Sequence, residues 1–287
     1  MPAYTTLISA TELLTLQAGG APLLVFDCSF DLAQPEAGTQ HYLATHIAGA
    51  HYAHLEHDLS AAPQQPRASG GRHPLPLREV FADWLARRGL RREMQVIVYD
   101  RNGANFCGRL WWMLKWLGHE AVAVLDGGLQ AWQAAGGPVR SGPEPAPEPT
   151  PFVPGPALRR LVSAAEVLAS LGQPTQTLLD ARATPRYRGE VEPLDPVAGH
   201  IPGALNRPFT LNFQEDGRFK PATQLRAEFA ALLENRPPAS VVHYCGSGVS
   251  AIPNLLAMEV AGLGQTALFA GSWSEWCSDP ARPVARG

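Results

Sequence analysis

The sequence repeats itself, and that constrains the fold more than any other feature. Ser9-Ala-Thr-Glu12 returns as Ser163-Ala-Ala-Glu166, 154 residues later. Val25-Phe-Asp27 returns as Leu178-Leu-Asp180 at an offset of 153. His46-Ile-Ala-Gly-Ala50 returns as His200-Ile-Pro-Gly-Ala204 at 154, and the run ending at Asp100 returns as the run ending at Cys245 at 145. Asp126-Gly-Gly-Leu-Gln-Ala-Trp132 returns as Ala270-Gly-Ser-Trp-Ser-Glu-Trp276 at 144. Five landmarks in one order, with slowly drifting offsets, describe two copies of one domain of about 130 residues. Between them, residues 137–156 carry prolines at nearly every second place, the composition of a semi-extended linker. The expected division is an N-terminal domain over 1–137, a Pro-rich linker over 138–157 and a C-terminal domain over 158–287.

Each copy alternates strand and helix patterns. In the first, Ser9 caps a helix over 9–18, with Glu12 completing a capping box. Apolar runs at 22–27, 95–100 and 121–125 read as strands. Core-spaced residues at 77–88 and 104–117 read as helices, and 126–132 turns into a short last one. Alternation of this kind implies an α/β fold, a parallel sheet with helices on both faces. Ligands then bind beyond the strand C-termini.

One such terminus stands out. Val241 to Tyr244 is a short buried-strand run ending at Cys245, followed by Gly246-Ser247-Gly248-Val249-Ser250 and a helix pattern over 251–262. Loop N–H groups and the positive end of a helix favour negative charge, and the thiolate is the reactive form of cysteine. A buried structural thiol is the other reading of Cys245 taken alone. The repeat supplies a comparison: the first copy has Asp100 at the equivalent place. A carboxylate is no sulfur nucleophile, so if Cys245 is catalytic the N-terminal copy is silent and one site per chain is expected.

Composition narrows the classes. The chain has 287 residues, 45% hydrophobic and 17% charged, with a formal net charge of −3, which gives no reason to expect a nucleic-acid or anionic-membrane partner. No apolar run reaches the length of a membrane span, and the first residues lack a basic start followed by an apolar core. Four scattered cysteines, at 28, 107, 245 and 277, make neither a disulfide framework nor a C-x-x-C pair, which fits a reducing, cytoplasmic setting. The nine histidines make no metal-ligand pattern.

The paired His-Ile-x-Gly-Ala segments, the Asp126–Trp132 and Ala270–Trp276 motifs and the loop from Cys245 to Ser250 together resemble tandem-domain rhodanese-type sulfurtransferases over nearly the whole chain. The resemblance implies two rhodanese-like domains, the first silent and the second bearing the active cysteine. The neutral Cys245-Gly-Ser-Gly-Val-Ser-Ala251 is similar to the Cys-Gly-Ser-Gly-Val-Thr-Ala loop of 3-mercaptopyruvate sulfurtransferases, whereas thiosulfate-type members carry basic residues there. A neutral loop with hydroxyls suits a donor bearing one carboxylate and a carbonyl.

The resemblance therefore implies transfer of the sulfane sulfur of 3-mercaptopyruvate through a Cys245 persulfide, without cofactor or metal. The acceptor would be a low-molecular-weight thiol, thioredoxin or cyanide. Gly246, Gly248 and Val249 supply loop backbone, and Ser247 and Ser250 supply hydroxyls; Ser250 is also placed to cap the next helix. Arg186 and Arg188, upstream of His200, match arginines that hold the donor in that family. A further arginine often follows there; this chain has Pro193-Leu-Asp-Pro196 instead. Trp273 is a candidate pocket wall, and His46 a candidate near the site. Asp180 ends a strand, where pairing with Arg182 is its plainer role. Thiosulfate:cyanide transfer is the nearest alternative, and a non-enzymatic sulfur carrier or binding module the alternative of another class. A cysteine phosphatase needs an arginine six residues after the cysteine, where this chain has Ala251.

Overall fold

The structure is a computed structural model that describes residues 3–287. The first two residues, where the leader reading and the first domain boundary begin, lie outside the described residues. The chain forms two compact units.

In unit 1 the elements run β1 (Leu7–Ile8), α1 (Ala10–Ala18), β2 (Leu23–Asp27), α2 (Ala37–Ala44), β3 (His46–Ile47), β4 (Ala50–Tyr52), α3 (Arg78–Arg87), β5 (Gln95–Tyr99), α4 (Cys107–Trp116), β6 (Val122–Leu125), α5 (Gly128–Ala134) and β7 (Val139–Arg140). Five strands form a parallel sheet in the order β1-β6-β5-β2-β4. The capping box expected at Ser9 is present, with Ser9 Oγ accepting from Glu12 N–H while Glu12 accepts from Ser9 N–H. β5 is buried along its whole length, as a central parallel strand with both faces covered must be. Ile97, Tyr99, Leu13, Leu16, Leu125 and Trp132 build the core on one side.

Unit 2 repeats the plan with β8 (Arg160–Leu161), α6 (Ala164–Ala169), β9 (Thr177–Asp180), α7 (Thr184–Arg188), β10 (Leu205–Asn206), α8 (Ala222–Leu233), β11 (Val241–Tyr244), α9 (Ile252–Val260), β12 (Ala267–Leu268) and α10 (Ser272–Trp276). Its parallel sheet runs β10-β9-β11-β12-β8. Read from the other edge, this is the strand order of unit 1. The second capping box, Ser163 with Glu166, is also formed. Val242, Tyr244, Phe269, Trp273 and Trp276 belong to one buried core.

The units are not contiguous in sequence, which corrects the expected boundaries. Residues Arg67–Leu75 belong to unit 2, and Gln214–Phe219 to unit 1. Long-range hydrogen bonds are the cause. Arg72 N–H donates to Ser274 Oγ at 3.0 Å, and Gly70 N–H to Glu275 Oε2 at 3.3 Å. Gly71, at φ 85°, lies so close to the backbone that a Cβ would meet the Gly271 carbonyl oxygen at 2.4 Å. In unit 1, Phe219 N–H donates to Asp126 Oδ1 at 2.8 Å. The Pro-rich segment is strapped to unit 1: β7 pairs with β3, Thr150 N–H reaches Ala86 O at 2.9 Å, and Gly155 N–H reaches Leu117 O at 2.8 Å.

Candidate active site

The site grows from β11. Val241 to Tyr244 pair in register with β9 on one side, and Val242 and His243 with β12 on the other, so the strand is central and its end is fixed. Cys245 follows directly and is 2% exposed. Its own backbone is tied at both polar atoms. Cys245 N–H donates to Ser272 Oγ at 3.1 Å, and its carbonyl accepts from Trp273 N–H at 3.0 Å. The loop then turns at Gly248, φ 76°, where a Cβ would meet Ala270 O at 2.1 Å. Only glycine serves at such a place. α9 begins at Ile252 rather than 251, and Ser250 makes no cap; among the described residues its hydroxyl holds no hydrogen bond.

Unit 1 shows what the equivalent loop holds there. Asp100 occupies the place of Cys245, and its carboxylate accepts four backbone N–H groups: Asn102 at 2.8 Å, Ala104 at 3.1 Å, Phe106 at 2.8 Å and Cys107 at 2.9 Å. Burial pushes the Asp100 carboxyl up, and the N–H groups of Cys107, Asn102 and Phe106 pull against that. Donors converging on one point make an anion cradle. The equivalent loop of unit 2 begins at a thiol instead, and its backbone differs in one place: Ala104 is left-handed at φ 56°, whereas its counterpart Val249 is not.

Around that thiol, unit 2 assembles groups from distant parts of the chain. Ser247 Oγ shares a 2.7 Å hydrogen bond with His73 Nδ1, across 174 residues of sequence. Arg186, on α7, reaches Glu192 at 2.5 Å and Asp195 at 3.3 Å. Burial works to raise the Glu192 carboxyl, but the Arg186 guanidinium and the N–H groups of Leu194 and Asp195 hold it below the ordinary value. Arg72 pairs with the same Asp195 at 2.6 Å.

Asp180 is taken up by Arg182, which donates to it through Nη2 at 2.7 Å and through Nε at 3.1 Å. Arg182 also donates to Gly199 O and lies over the Trp273 ring at 4.8 Å. Trp273 is fully buried, its indole N–H bonded to Val197 O at 2.8 Å, so it underlies the site rather than opening onto it.

Two expected contributors are elsewhere. Arg188 points to solvent, 55% exposed, with only a 3.7 Å pair to Glu190. Two residues along a helix is a turn of about 200°, which puts Arg188 opposite Arg186. His46 is buried in unit 1, stacked on Tyr42 and bonded to Tyr42 O at 2.8 Å and Glu144 at 3.4 Å. The histidine at the Cys245 loop is His73. No periodicity or repeat marks it, because its partner is made by folding. Glu36, His54 and His57 do gather ligand atoms within 4.8 Å of one another. His54 Nδ1, however, accepts the N–H groups of Glu56 and His57, which leaves the ring proton on Nε2 and closes that nitrogen to a metal. A 500 Å³ cavity lined by Pro174, Thr177, Pro202 and Arg236 lies by the N-terminal ends of β9 and β11, away from the cysteine.

No helix among the described residues is long and apolar enough to cross a membrane. The model of the rhodanese-like domain matches the chain twice, over residues 9–135 and 163–279. A Pseudomonas aeruginosa protein named "probable 3-mercaptopyruvate sulfurtransferase" is 50% identical over 98% of this chain and 100% of its own length. The thiosulfate sulfurtransferase of Bos taurus is 33% identical over 95% of this chain and 92% of its own. The crystal structure of a 3-mercaptopyruvate sulfotransferase from Escherichia coli superposes with a TM-score of 0.79 at 31% identity, covering 94% of this chain and all of that one. With two matched domains and a relative of 50% identity along its full length, the chain belongs to the rhodanese family of sulfurtransferases.

Proposed function

We propose that this protein transfers sulfur from 3-mercaptopyruvate to a thiol or cyanide through a persulfide on Cys245. The Cys245 thiolate attacks the donor's sulfur. The donor's carbon–sulfur bond breaks, its electron pair leaves with the carbon as the pyruvate enolate, and protonation gives pyruvate. Cys245 keeps the sulfur as Cys–S–SH. An acceptor thiolate then takes the outer sulfur and frees the Cys245 thiolate. Splitting the transfer into two displacements at sulfur is covalent catalysis and calls on no cofactor or metal.

The observation that carries the reading is the Asp100 cradle. A loop of equal length between strand and helix holds a carboxylate with four N–H groups in unit 1, and in unit 2 it begins at the buried Cys245. It thus supports an anionic thiolate or persulfide, with Ser247, held by His73, supplying a hydroxyl at the same loop. The neutral sequence of the loop favours mercaptopyruvate over thiosulfate, which carries two charges. A small thiol or thioredoxin as acceptor, and a cytoplasmic setting, accord with four free cysteines.

Initial rates with 3-mercaptopyruvate and thiosulfate, on the wild type and on Cys245→Ser, test this. The expected result is a higher kcat/KM with mercaptopyruvate and no turnover in Cys245→Ser. Equal or faster turnover of thiosulfate would overturn the donor assignment, and activity in Cys245→Ser would overturn the mechanism.

A further inference from the structure

In unit 1 the Pro-rich segment after β7 is laid along one end of the sheet. Glu144 Oε1 accepts from Gly49 N–H at 2.7 Å and pairs with His46 Nε2 at 3.4 Å. A Cβ on Gly89 would meet Glu148 O at 2.9 Å and a Pro147 carbon at 3.1 Å, and Thr150 Oγ1 donates to Leu90 O at 2.8 Å. The segment thus runs from the turn before β4 to the end of α3, before β5.

Unit 2 repeats the start of this strap. Trp132 donates its indole N–H to Pro138 O at 3.0 Å, and Trp276 donates to Pro283 O at 2.8 Å. β3 pairs antiparallel with β7, and His200 bridges antiparallel to Ala285. His46 stacks on Tyr42 and His200 on Tyr187, each with its Nδ1 bonded to that tyrosine's carbonyl at 2.8 Å. By the offsets of the repeat, Gly49 corresponds to Gly203, and residues 89–92 to 234–237. In unit 1 these are the places the strap covers. In unit 2 they are walls of the 500 Å³ groove, together with Leu171 and Pro174. His200 is 5% exposed, yet among the described residues neither its Nε2 nor the Gly203 N–H holds a hydrogen bond.

We propose that this groove docks an extended, proline-rich segment of a partner protein that carries a glutamate. The glutamate accepts from Gly203 N–H and pairs with the His200 ring, as Glu144 does with Gly49 and His46. A proline-rich segment suits such a groove because it is extended beforehand and loses little freedom on docking. Pro174, Pro202 and Pro237 supply apolar walls, and Arg236 favours a negative segment. The linker of a second copy is not free to serve, because its own unit 1 holds it through Gly142 N–H to Leu43 O at 2.8 Å and through the bonds of Glu144 and Thr150. Glu234 stands where Gly89 leaves room in unit 1, with its side chain 72% exposed. The docked segment therefore passes that corner further out, and its register is set at Gly203.

The test titrates full-length protein into a fluorescent peptide, Gly-Pro-Glu-Pro-Ala-Pro-Glu-Pro-Thr, the sequence of residues 142–150, and follows anisotropy. Saturable binding is expected, about tenfold weaker when the first glutamate is replaced by glutamine. Pro174→Trp, a change in an exposed loop that fills the groove, should weaken binding by a similar factor. Sulfur transfer to cyanide should be unchanged by that variant and by saturating peptide, since the groove lies at the far end of β11 from Cys245. Absence of binding, equal affinity for the glutamine peptide, or undiminished binding by Pro174→Trp would overturn the proposal. Inhibition competitive with the sulfur donor would place the peptide at Cys245 and also overturn it. A wild-type dimer that the peptide splits, seen by analytical ultracentrifugation, would assign the groove to a second copy and overturn the partner-protein assignment.

Discussion

Ser272 adopts a left-handed backbone, φ 54°, at a position where the first copy has Gly128 at φ 58°. For a residue with a Cβ this conformation costs about 1–2 kcal/mol. The side chain explains why the strain is kept: Ser272 Oγ accepts the Cys245 N–H and donates to Phe269 O at 3.0 Å. It is a positioning residue that sets the backbone of the nucleophile. Two substitutions separate strain from hydrogen bond. Ser272→Gly should melt at or above the wild-type temperature, since relief of strain offsets the lost bond. Ser272→Ala keeps the strain, loses the bond, and should be less stable by about 1 kcal/mol. Both should lower kcat/KM about tenfold, because a small displacement of a reacting atom costs rate steeply. Full activity in Ser272→Gly would show that the hydroxyl does not position Cys245.

The element that presents the cysteine, β11, contains a weakness of its own. His243 is fully buried, and among the described residues neither ring nitrogen has a hydrogen-bond partner. Burial pushes its pKa down to about 3. In the unfolded chain the ring titrates near 6.5, so below that pH the unfolded state binds a proton that the folded state refuses. Stability is then unaffected above about pH 6.5 and falls by up to about 1.4 kcal/mol per pH unit between there and about pH 3. His243→Leu removes both unpartnered nitrogens at similar volume. Its gain in melting temperature over the wild type should be larger at pH 5 than at pH 8, measured by thermal denaturation at the two values. Equal gains would mean that His243 does not titrate on unfolding.

The same strand shows how far the sequence can be read. Val241 to Tyr244 are all buried, and the apolar run marks them as a strand without ambiguity. The repeat places Cys245 at its end, and Gly248 fits the left-handed turn of the loop. The partners of that loop are not legible in this way. His73 meets Ser247, and Arg72 meets Asp195, across 174 and 123 residues. Neither residue lies in a motif that the two copies share. Periodicity reports which face of an element is buried; it carries nothing about which loop folds back onto which strand end.

Across the whole molecule, four free thiols are available and the environments divide them. Burial pushes the Cys28 and Cys107 thiols well up, and the charges of Asp27 beside the first and Asp100 beside the second push in the same direction. Burial also raises the Cys277 thiol, with Asp195 adding to it. A thiol held protonated is a poor nucleophile. In unit 1 the cradle that would stabilise an anion is filled by Asp100, so that copy offers no second site. Stoichiometric exposure to 3-mercaptopyruvate without acceptor should therefore add one sulfur per chain. Intact mass spectrometry should show a single addition, peptide mapping should place it on Cys245, and Cys245→Ser should show none. Two sulfurs per chain would mean that a second thiol is reactive despite its burial. A single sulfur that survives in Cys245→Ser would move the nucleophile away from the β11 loop and overturn the proposed persulfide mechanism with it.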